Sequence, residues 1–600
     1  MHSGNMLKNK LLKHWLKIVI FAVLLGAVIW AGKGIFKYSV FSTHDGNYHI
    51  ARAYDAIQSI REGEFPLRWA GSLNYYCGVP VFNFYYPLIY YLVILIDLIF
   101  NNVIFSLKII FFISFLLCTF GFYLWAKEET GKVLPALGGA LVYLFGPYRF
   151  TLIFVRGSPE YMAFAILPIV LFFYCRAFNS RGKKFVIYAF LGSLMGAILT
   201  IAHNFAAMFL MPIILLYLII KIIQKKLDIK KIGLIAFSYI AALGMGSFFT
   251  APALLEQKYT QIGSNHLTYL DHFPELWQLW NSKWGYFYSS QGTINDGMSF
   301  MLGYAQWLIL ALGAGFIIYQ LIKSKFKIGT FIKNNVWILF FFIGTLFTIY
   351  LILPWSIPLW RKIGPLQEIQ FSWRLLGVAL FTIAALFTFI LDKIKSKYLL
   401  VALSIGISLF AIVAERNHML PQPESAQDLY QYADFSNLHP LRHSTTTLAD
   451  EVIAAGAKNA CWFTTPVVST NKNKKIAYTT LTRGNTYGSV EFTIDKKQIT
   501  GDKIVINLGY FPDIHKIYVN GDGPLDYSNC NGQVCFDANK VKDGKNLMTW
   551  KVGESRIERT FDYVTIAFFL TWSVVLLAYL TGIYKPVAKW LRNNWLKKSK

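Results

Sequence analysis

The chain has 600 residues, 55% hydrophobic and 17% aromatic with only 15% charged, a composition that excludes an ordinary soluble globular protein and points to a chain crossing a bilayer many times. The net charge of +26 does not indicate a nucleic-acid partner, because Lys and Arg fall in short runs between apolar segments and form no DNA- or RNA-binding motif. Those runs, at 8–17, 181–184, 221–231, 323–333, 393–397 and 585–600, mark inner loops, so a multi-pass protein of the cell (plasma or inner) membrane with both termini cytoplasmic is expected.

The first apolar run, 17–36, is long enough to span and lacks a convincing small-residue cleavage site, so a retained anchor is expected. Further runs of spanning length follow at 103–126, 133–148, 160–178, 184–202, 205–223, 232–253, 300–322, 336–354, 373–391, 398–414 and 562–583, about twelve crossings in all. The apolar run 81–100 is left out, because counting it would place 181–184 and every later basic loop outside. Its Pro87, its tyrosines and Asp97 suit a helix lying in the interface or dipping partly inward. The outer segments are then 37–102, 149–159, 254–299, 355–372 and 415–561. In the first of them Ile50, Ala53, Tyr54, Ile57 and Ile60 recur at helical spacing, which predicts a surface-lying amphipathic helix over 48–62 with Asp45 at its start.

From 415 the composition turns polar, and Val490, Phe492, Ile494, then Ile504, Ile506, Leu508, then Ile517 and Val519 alternate as half-buried strands do. The turn Val519-Asn-Gly-Asp-Gly fits a hairpin, and a helical preface is expected around 424–455. The fold class is mainly α: a polytopic transmembrane helical bundle over 1–414, an extracytoplasmic β-rich, sandwich-like domain over 415–561, a last span at 562–583 and a basic cytoplasmic tail at 584–600. Cys530 and Cys535 flank a short turn in the outer domain and are disulfide candidates in an oxidising compartment. Cys77 and Cys461 also lie outside, free or paired, whereas Cys118 and Cys175 read as small buried hydrophobes in apolar helices.

Ionisable residues gather at the outer mouths of the spans rather than at their centres. Asp45, in Thr-His-Asp-Gly-Asn-Tyr-His at 43–49, is the leading candidate for a catalytic carboxylate, against the alternative of a helix cap. Glu160 opens an apolar run after Gly-Ser-Pro, where the positive end of a helix favours a carboxylate that can act with Asp45. His203, beside Asn204, is either a satisfied buried histidine or a ligand. Arg149 and Arg156 flank the second outer loop, and Glu368, Gln370 and Arg374 stand at another helix entrance, where Arg374 either holds a lipid phosphate or snorkels. His44, Asp45, His49 and Glu160 carry donor types for a divalent cation, yet their spacing matches no recognised metal signature and no cofactor is firmly implied. Trp277, Trp280, Trp284, Tyr286 and Tyr288, near Asp296, read either as sugar-stacking faces or as an interfacial belt.

The motifs His44-Asp-Gly-x-x-His49, Gly78-Val-Pro-Val-Phe-x-Phe-Tyr-Tyr-Pro-Leu, Tyr148-Arg, Arg156-Gly-x-x-Glu160, His203-Asn204, Asp296-Gly-Met-Ser-Phe with Gly303, and Gln370-Phe-x-Trp-Arg374 together resemble the 6-pyruvoyl-tetrahydropterin-synthase-related membrane proteins. They are similar also to YfhO-like membrane proteins, over about residues 40–390. Such proteins look like members of the GT-C glycosyltransferase superfamily. The resemblance implies an outer-face enzyme that takes a sugar from a polyprenyl-phosphate-linked donor to a glycan, lipid or protein acceptor, with Asp45 as base and Glu160 as its acidic partner. His203 would assist, Arg374 with Arg149 or Arg156 would neutralise the leaving phosphate, and His44, His49, Gln370 and Asp296 would bind substrate. The alternatives are a non-enzymatic lipid-linked glycan transporter, which would need a charged path through the bilayer, and an envelope assembly scaffold displaying the β-rich domain.

Overall fold

The computed structural model describes residues 2–264, 268–290, 296–423, 453–455, 457, 461, 465–499 and 501–583. Among these, ten helices are long and apolar enough to cross a membrane: His14–Gly32, Val103–Thr130, Glu160–Phe178, Lys183–Ala202, Asn204–Lys225, Tyr304–Lys323, Ile328–Ile352, Ser372–Lys393, Lys397–Ala414 and Arg556–Thr581. Two bent pairs raise the number to twelve when each is taken as one crossing, Val133–Leu144 with Pro147–Arg156 at 49° and Ile229–Met245 with Ser247–Leu255 at 63°. The helix Leu88–Phe100 has 13 residues, about 20 Å of rise, and is too short for a hydrocarbon core of about 30 Å. The expected omission of 81–100 from the spans agrees with that length.

The break after Leu144 has a local cause. Gly146 is extended and Pro147 opens a new helical piece, since the residue before a proline is pushed out of the α region. The segment 149–159, expected as an open outer loop, is accordingly helical to Arg156 and buried throughout. The expected helix over 48–62 forms as Gly46–Arg61, but it does not lie on the surface. Nine of its residues are buried, Arg52 and Asp55 among them: Arg52 lies over the Tyr85 ring, Asp55 accepts from Ser72 N–H at 3.0 Å, and Asn485 of the β-rich domain donates to the Asp55 carbonyl at 3.1 Å.

Among the described residues the β-rich domain is a sandwich of two four-stranded sheets. Short strands β1 (Phe41–Ser42) and β2 (Gln422–Pro423) pair just after the first span. The sandwich strands are β3 (Val468–Thr470), β4 (Ala477–Arg483), β5 (Tyr487–Ile494), β6 (Lys503–Gly509), β7 (His515–Val519), β8 (Ser528–Cys530), β9 (Gln533–Asp537) and β10 (Gly544–Val552), in sheets ordered β4-β5-β10-β7 and β3-β6-β9-β8. Val490, Phe492 and Ile494 face the core as alternation predicted, but β6 is buried on nearly every residue. Its second face lies on the loop that follows the first span, where Gly509 N–H donates to the Cys77 carbonyl at 2.7 Å. The Val519–Asp522 turn closes tightly, with Asn520 and Gly521 both at positive φ, and the chain returns beside β7 as far as Leu525, whose N–H donates to the Ile517 carbonyl at 2.8 Å, before β8 joins the other sheet. The last helix starts at Arg556, six residues before the expected 562, because Ser555 and Glu558 form a capping box there. The expected helical preface lies mostly outside the described residues, as does the basic tail.

Docking of the domain on the membrane part is specific. Cys77 is bonded to Cys461 across 384 residues of sequence, and Cys530 to Cys535 within the sheet. The Glu62 carboxylate accepts from Asn485 N–H at 2.9 Å and from Thr486 N–H and Oγ1 at 2.8 Å. Gly78, at φ +74°, packs against the Trp69 indole where a Cβ would collide.

A carboxylate cluster joins the last helix to this assembly. Arg68 pairs with Asp562 at 2.6 Å and donates to the Phe248 carbonyl at 2.7 Å, Glu558 meets Asn83, and Glu256 accepts from Ser555 Oγ. Burial, reinforced by Glu558, pushes the Glu256 carboxyl up to about 7, and burial pushes Glu64 up to about 8. Both groups hold their protons more tightly in the folded state than in the unfolded chain, so their contribution to stability is fully present below about pH 4.5 and falls as pH rises to about 8. Thermal unfolding of the detergent-solubilised chain should show that fall, and Glu256→Gln should flatten it. An unchanged slope in the variant would remove Glu256 from the account.

Candidate active site

Asp45 is held by backbone, not by its own helix. Its N–H donates to the Arg156 carbonyl and that of His44 to the Val155 carbonyl, both at 2.9 Å. It occupies the N-cap position of Gly46–Arg61 but makes no side-chain cap bond, so the carboxylate is not used up in helix capping. It faces Arg156 Nη2 at 3.4 Å instead. Arg156 reaches this place at the end of a π-helical turn, Thr151–Arg156, a wide turn of the kind found at functional sites. Gly157 then ends the turn at φ +65°, with Thr43 standing where a side chain would go.

The second half of the site comes from the 370–374 segment and the start of the Glu160–Phe178 span. Arg374 Nε lies 2.8 Å from Glu160 Oε1, and its Nη1 donates to the Ile369 carbonyl at 3.0 Å. Glu160 Oε2 accepts from the Tyr148 hydroxyl at 3.0 Å, and His203 Nε2 lies 3.6 Å from Oε1. His203 Nδ1 accepts the Ala206 N–H at 3.2 Å, capping the next span, so in the neutral ring the proton sits on Nε2, facing Glu160. Tyr86 stacks on this ring at 4.2 Å.

The site opens on a cavity of about 850 Å³. Asp45, His49, Arg156, His203, Gln370 and Arg374 line it. A second wall is apolar, formed by Ala207, Met208 and Met211 of one span and Leu243, Ala253 and Leu254 of the bent pair. Charged, hydrogen-bonding groups therefore meet an aliphatic wall within one enclosure, a combination suited to an amphipathic ligand with an anionic head.

Other expected site residues fall elsewhere. Glu160 is 1% exposed and lies behind Arg374 instead of lining the cavity. Arg149 is buried against Tyr143, its guanidinium 4.5 Å from the ring, and does not reach the cavity. Asp296 accepts from Gln278 Nε2 at 2.7 Å and Ser290 N–H at 2.9 Å, bracing its own loop. His44 stacks on exposed Tyr288 at 4.3 Å and bonds the Tyr286 carbonyl at 3.0 Å, next to the cavity mouth. Burial, then Arg156, lowers the His44 pKa, and burial brings that of His49 to about 3, so both are neutral at physiological pH. His49 Nδ1 bonds the Tyr90 hydroxyl at 2.9 Å. Among the described residues no group of three or more His, Cys, Asp or Glu is placed to hold a metal ion, and His44, Asp45, His49 and Glu160 do not converge as a ligand set.

Arg52, Tyr86 and Phe371 are among the cavity residues that carry no role in the sequence reading of the site. Arg52 had a signal, since 45, 49 and 52 share one face at helical spacing. Tyr86 and Phe371 stand inside two of the quoted motifs, but their composition alone does not separate them from an interfacial belt.

Comparisons with known proteins bear on this arrangement. Residues 82–419 match the model of the 6-pyruvoyl-tetrahydropterin synthase related domain, described as a membrane protein. An uncharacterized protein of Lactococcus lactis subsp. cremoris (strain MG1363) is 25% identical over 244 residues, which is 39% of this chain and 39% of that one. The oligosaccharyltransferase of Archaeoglobus fulgidus, in its apo crystal structure, aligns over 69% of this chain and 58% of its own at 13% identity, with a TM-score of 0.42. ArnT from Cupriavidus metallidurans bound to undecaprenyl phosphate aligns over 70% of this chain and 91% of its own at 12% identity, with a TM-score of 0.32. At TM-scores below 0.5 these structural likenesses decide nothing further.

Proposed function

For a chain that belongs to the family of 6-pyruvoyl-tetrahydropterin-synthase-related membrane proteins, we propose the activity of a membrane glycosyltransferase that uses a polyprenyl-phosphate-linked sugar as donor and a glycan, lipid or protein hydroxyl as acceptor. The observation that carries this reading is the single cavity in which Asp45, Arg156 and Arg374 face an aliphatic wall. A lipid phosphate carries both features at once, an anionic head and a hydrocarbon tail, and a carboxylate beside the head is placed to receive the acceptor's proton.

In the proposed step the acceptor oxygen attacks the anomeric carbon while its proton passes to Asp45. The bond from that carbon to the phosphate oxygen breaks, and the phosphate leaves with the electron pair. Protonation of Asp45 removes the charge that Arg156 was balancing, so its guanidinium becomes available to the leaving phosphate as negative charge grows there. Arg374 supplies the second cation, held by Glu160. His203 donates from Nε2 toward the same region, and Gln370 and His49 border the sugar's space.

The test is mass-spectrometric profiling of envelope lipids, polymers and proteins in cells with and without the gene, complemented by wild-type protein or by a cavity variant at matched membrane abundance. Loss of one sugar modification in the deletion, not restored by the variant, is the expected result. Restoration by a variant lacking the Asp45 carboxylate would move transport or scaffolding ahead of transfer.

A further inference from the structure

Two of the three cavity arginines, Arg156 and Arg374, rest on one ring. The guanidinium carbon of Arg374 lies 5.0 Å from the centroid of Phe371, and that of Arg156 lies 5.6 Å from it. Arg156 is also 4.7 Å from Trp373, whose indole stacks on Phe371 at 4.9 Å, and Arg374 is 5.1 Å from Phe205. His272 meets Phe371 edge-on at 4.9 Å. The backbone that delivers the ring adopts a sparsely populated conformation, with Gln370 at φ +64°. A non-glycine residue held there by its surroundings is a common feature of ligand sites.

The remaining donors of the two guanidinium groups make this placement meaningful. Each cation is balanced on one edge by a carboxylate, Arg156 by Asp45 and Arg374 by Glu160, and each has a face against an aromatic ring. Arg156 Nε is buried without a hydrogen-bond partner. On Arg374 Nε faces Glu160 and Nη1 donates to Ile369, while no hydrogen bond among the described residues engages Nη2. Donors therefore remain on both groups beside the cavity they line. Two cations sharing an aromatic partner repel each other unless an anion lies between them, and the ring's negative face lowers the cost of holding them close before the anion arrives.

We propose that Phe371 is a positioning residue that sets the separation and tilt of the Arg156 and Arg374 guanidinium groups so that both bind one phosphate-type headgroup. The proposal rests on the lipid-phosphate reading of the cavity. An aliphatic side chain of similar size would fill the space and leave the two cations without their shared π face.

Dissociation constants for farnesyl phosphate and for farnesol, measured on the detergent-solubilised full chain, separate the two questions. Wild-type protein should bind the phosphate more tightly than the alcohol. Phe371→Leu should weaken farnesyl phosphate about tenfold and leave farnesol unchanged, whereas Phe371→Tyr should stay within about twofold of wild type on both. If Phe371→Leu keeps the full preference for phosphate, the positioning role is overturned while the lipid-phosphate reading stands. If wild-type protein itself shows no preference, the reading of the cavity fails and this inference with it. Should Phe371→Leu lose farnesol as well, Phe371→Met is measured in its place and read by the same two outcomes.

Discussion

Replacing Asp45 by Asn should lower the rate of sugar transfer by about 10³-fold, within the range a lost general base produces, while leaving membrane abundance and thermal midpoint close to wild type. The fold is expected to tolerate the change because the Asp45 side chain caps no helix, and its backbone bond to the Arg156 carbonyl is independent of the side chain. What disappears is the proton acceptor beside Arg156. The amide would still occupy the space and would still present an oxygen, so binding of the donor should change far less than turnover. Asp45→Glu moves the carboxylate by one methylene and should recover part of the rate. The check is initial velocity in membranes once the acceptor has been identified from the profiling described above. Full activity of Asp45→Asn would end its assignment as base.

The largest stability effect is expected at Glu160. Its carboxylate is buried among Arg374, Tyr148 and His203, so Glu160→Ala leaves Arg374, at 11% side-chain exposure, without its buried counter-charge. Breaking one partner of a buried pair in this way costs about 3–5 kcal/mol. Glu160→Gln should cost less than the alanine change, because the amide can still accept from Tyr148. Combining it with Arg374→Met should cost less than the sum of the two single changes, since no charge is then stranded. Thermal unfolding of the wild type, the two single variants and the double variant in detergent measures this coupling. Strict additivity would mean that the ion pair does not hold Arg374, and the positioning role proposed for Glu160 would be lost.

Much of the candidate site is legible in the sequence because ionisable groups are rare in this chain and cluster at the ends of spans. Asp45, His49, Arg156, His203, Gln370 and Arg374 all stand out there, and all six border the cavity. Their facing is not legible. Arg149 and Arg156 stand in the same short stretch, yet a π turn of Thr151–Arg156 directs one to the cavity and leaves the other packed on Tyr143. Glu160 sits at a helix start, as Ser158 and Pro159 suggested, but a helix start does not say whether its first side chain meets solvent, substrate or a neighbouring Arg.

The covalent pattern divides in the same way. Cys530 and Cys535 are close in sequence, so a short turn brings them together by local geometry alone. Cys77 and Cys461 are separated by 384 residues, and only the packing of the β-rich domain on the loop after the first span makes them neighbours.

By itself the sequence determined what depends on local pattern: the apolar lengths that make spans and the alternation that makes β5 and β7. These follow from the thickness of a bilayer and the period of a strand, which act residue by residue. The tertiary structure decided what depends on which surfaces meet: the burial of the 46–61 helix, the second buried face of β6, the retreat of Glu160 behind Arg374, and the shared ring of Phe371. Those outcomes are set by long-range packing, in which each side chain's role is fixed by partners hundreds of residues away.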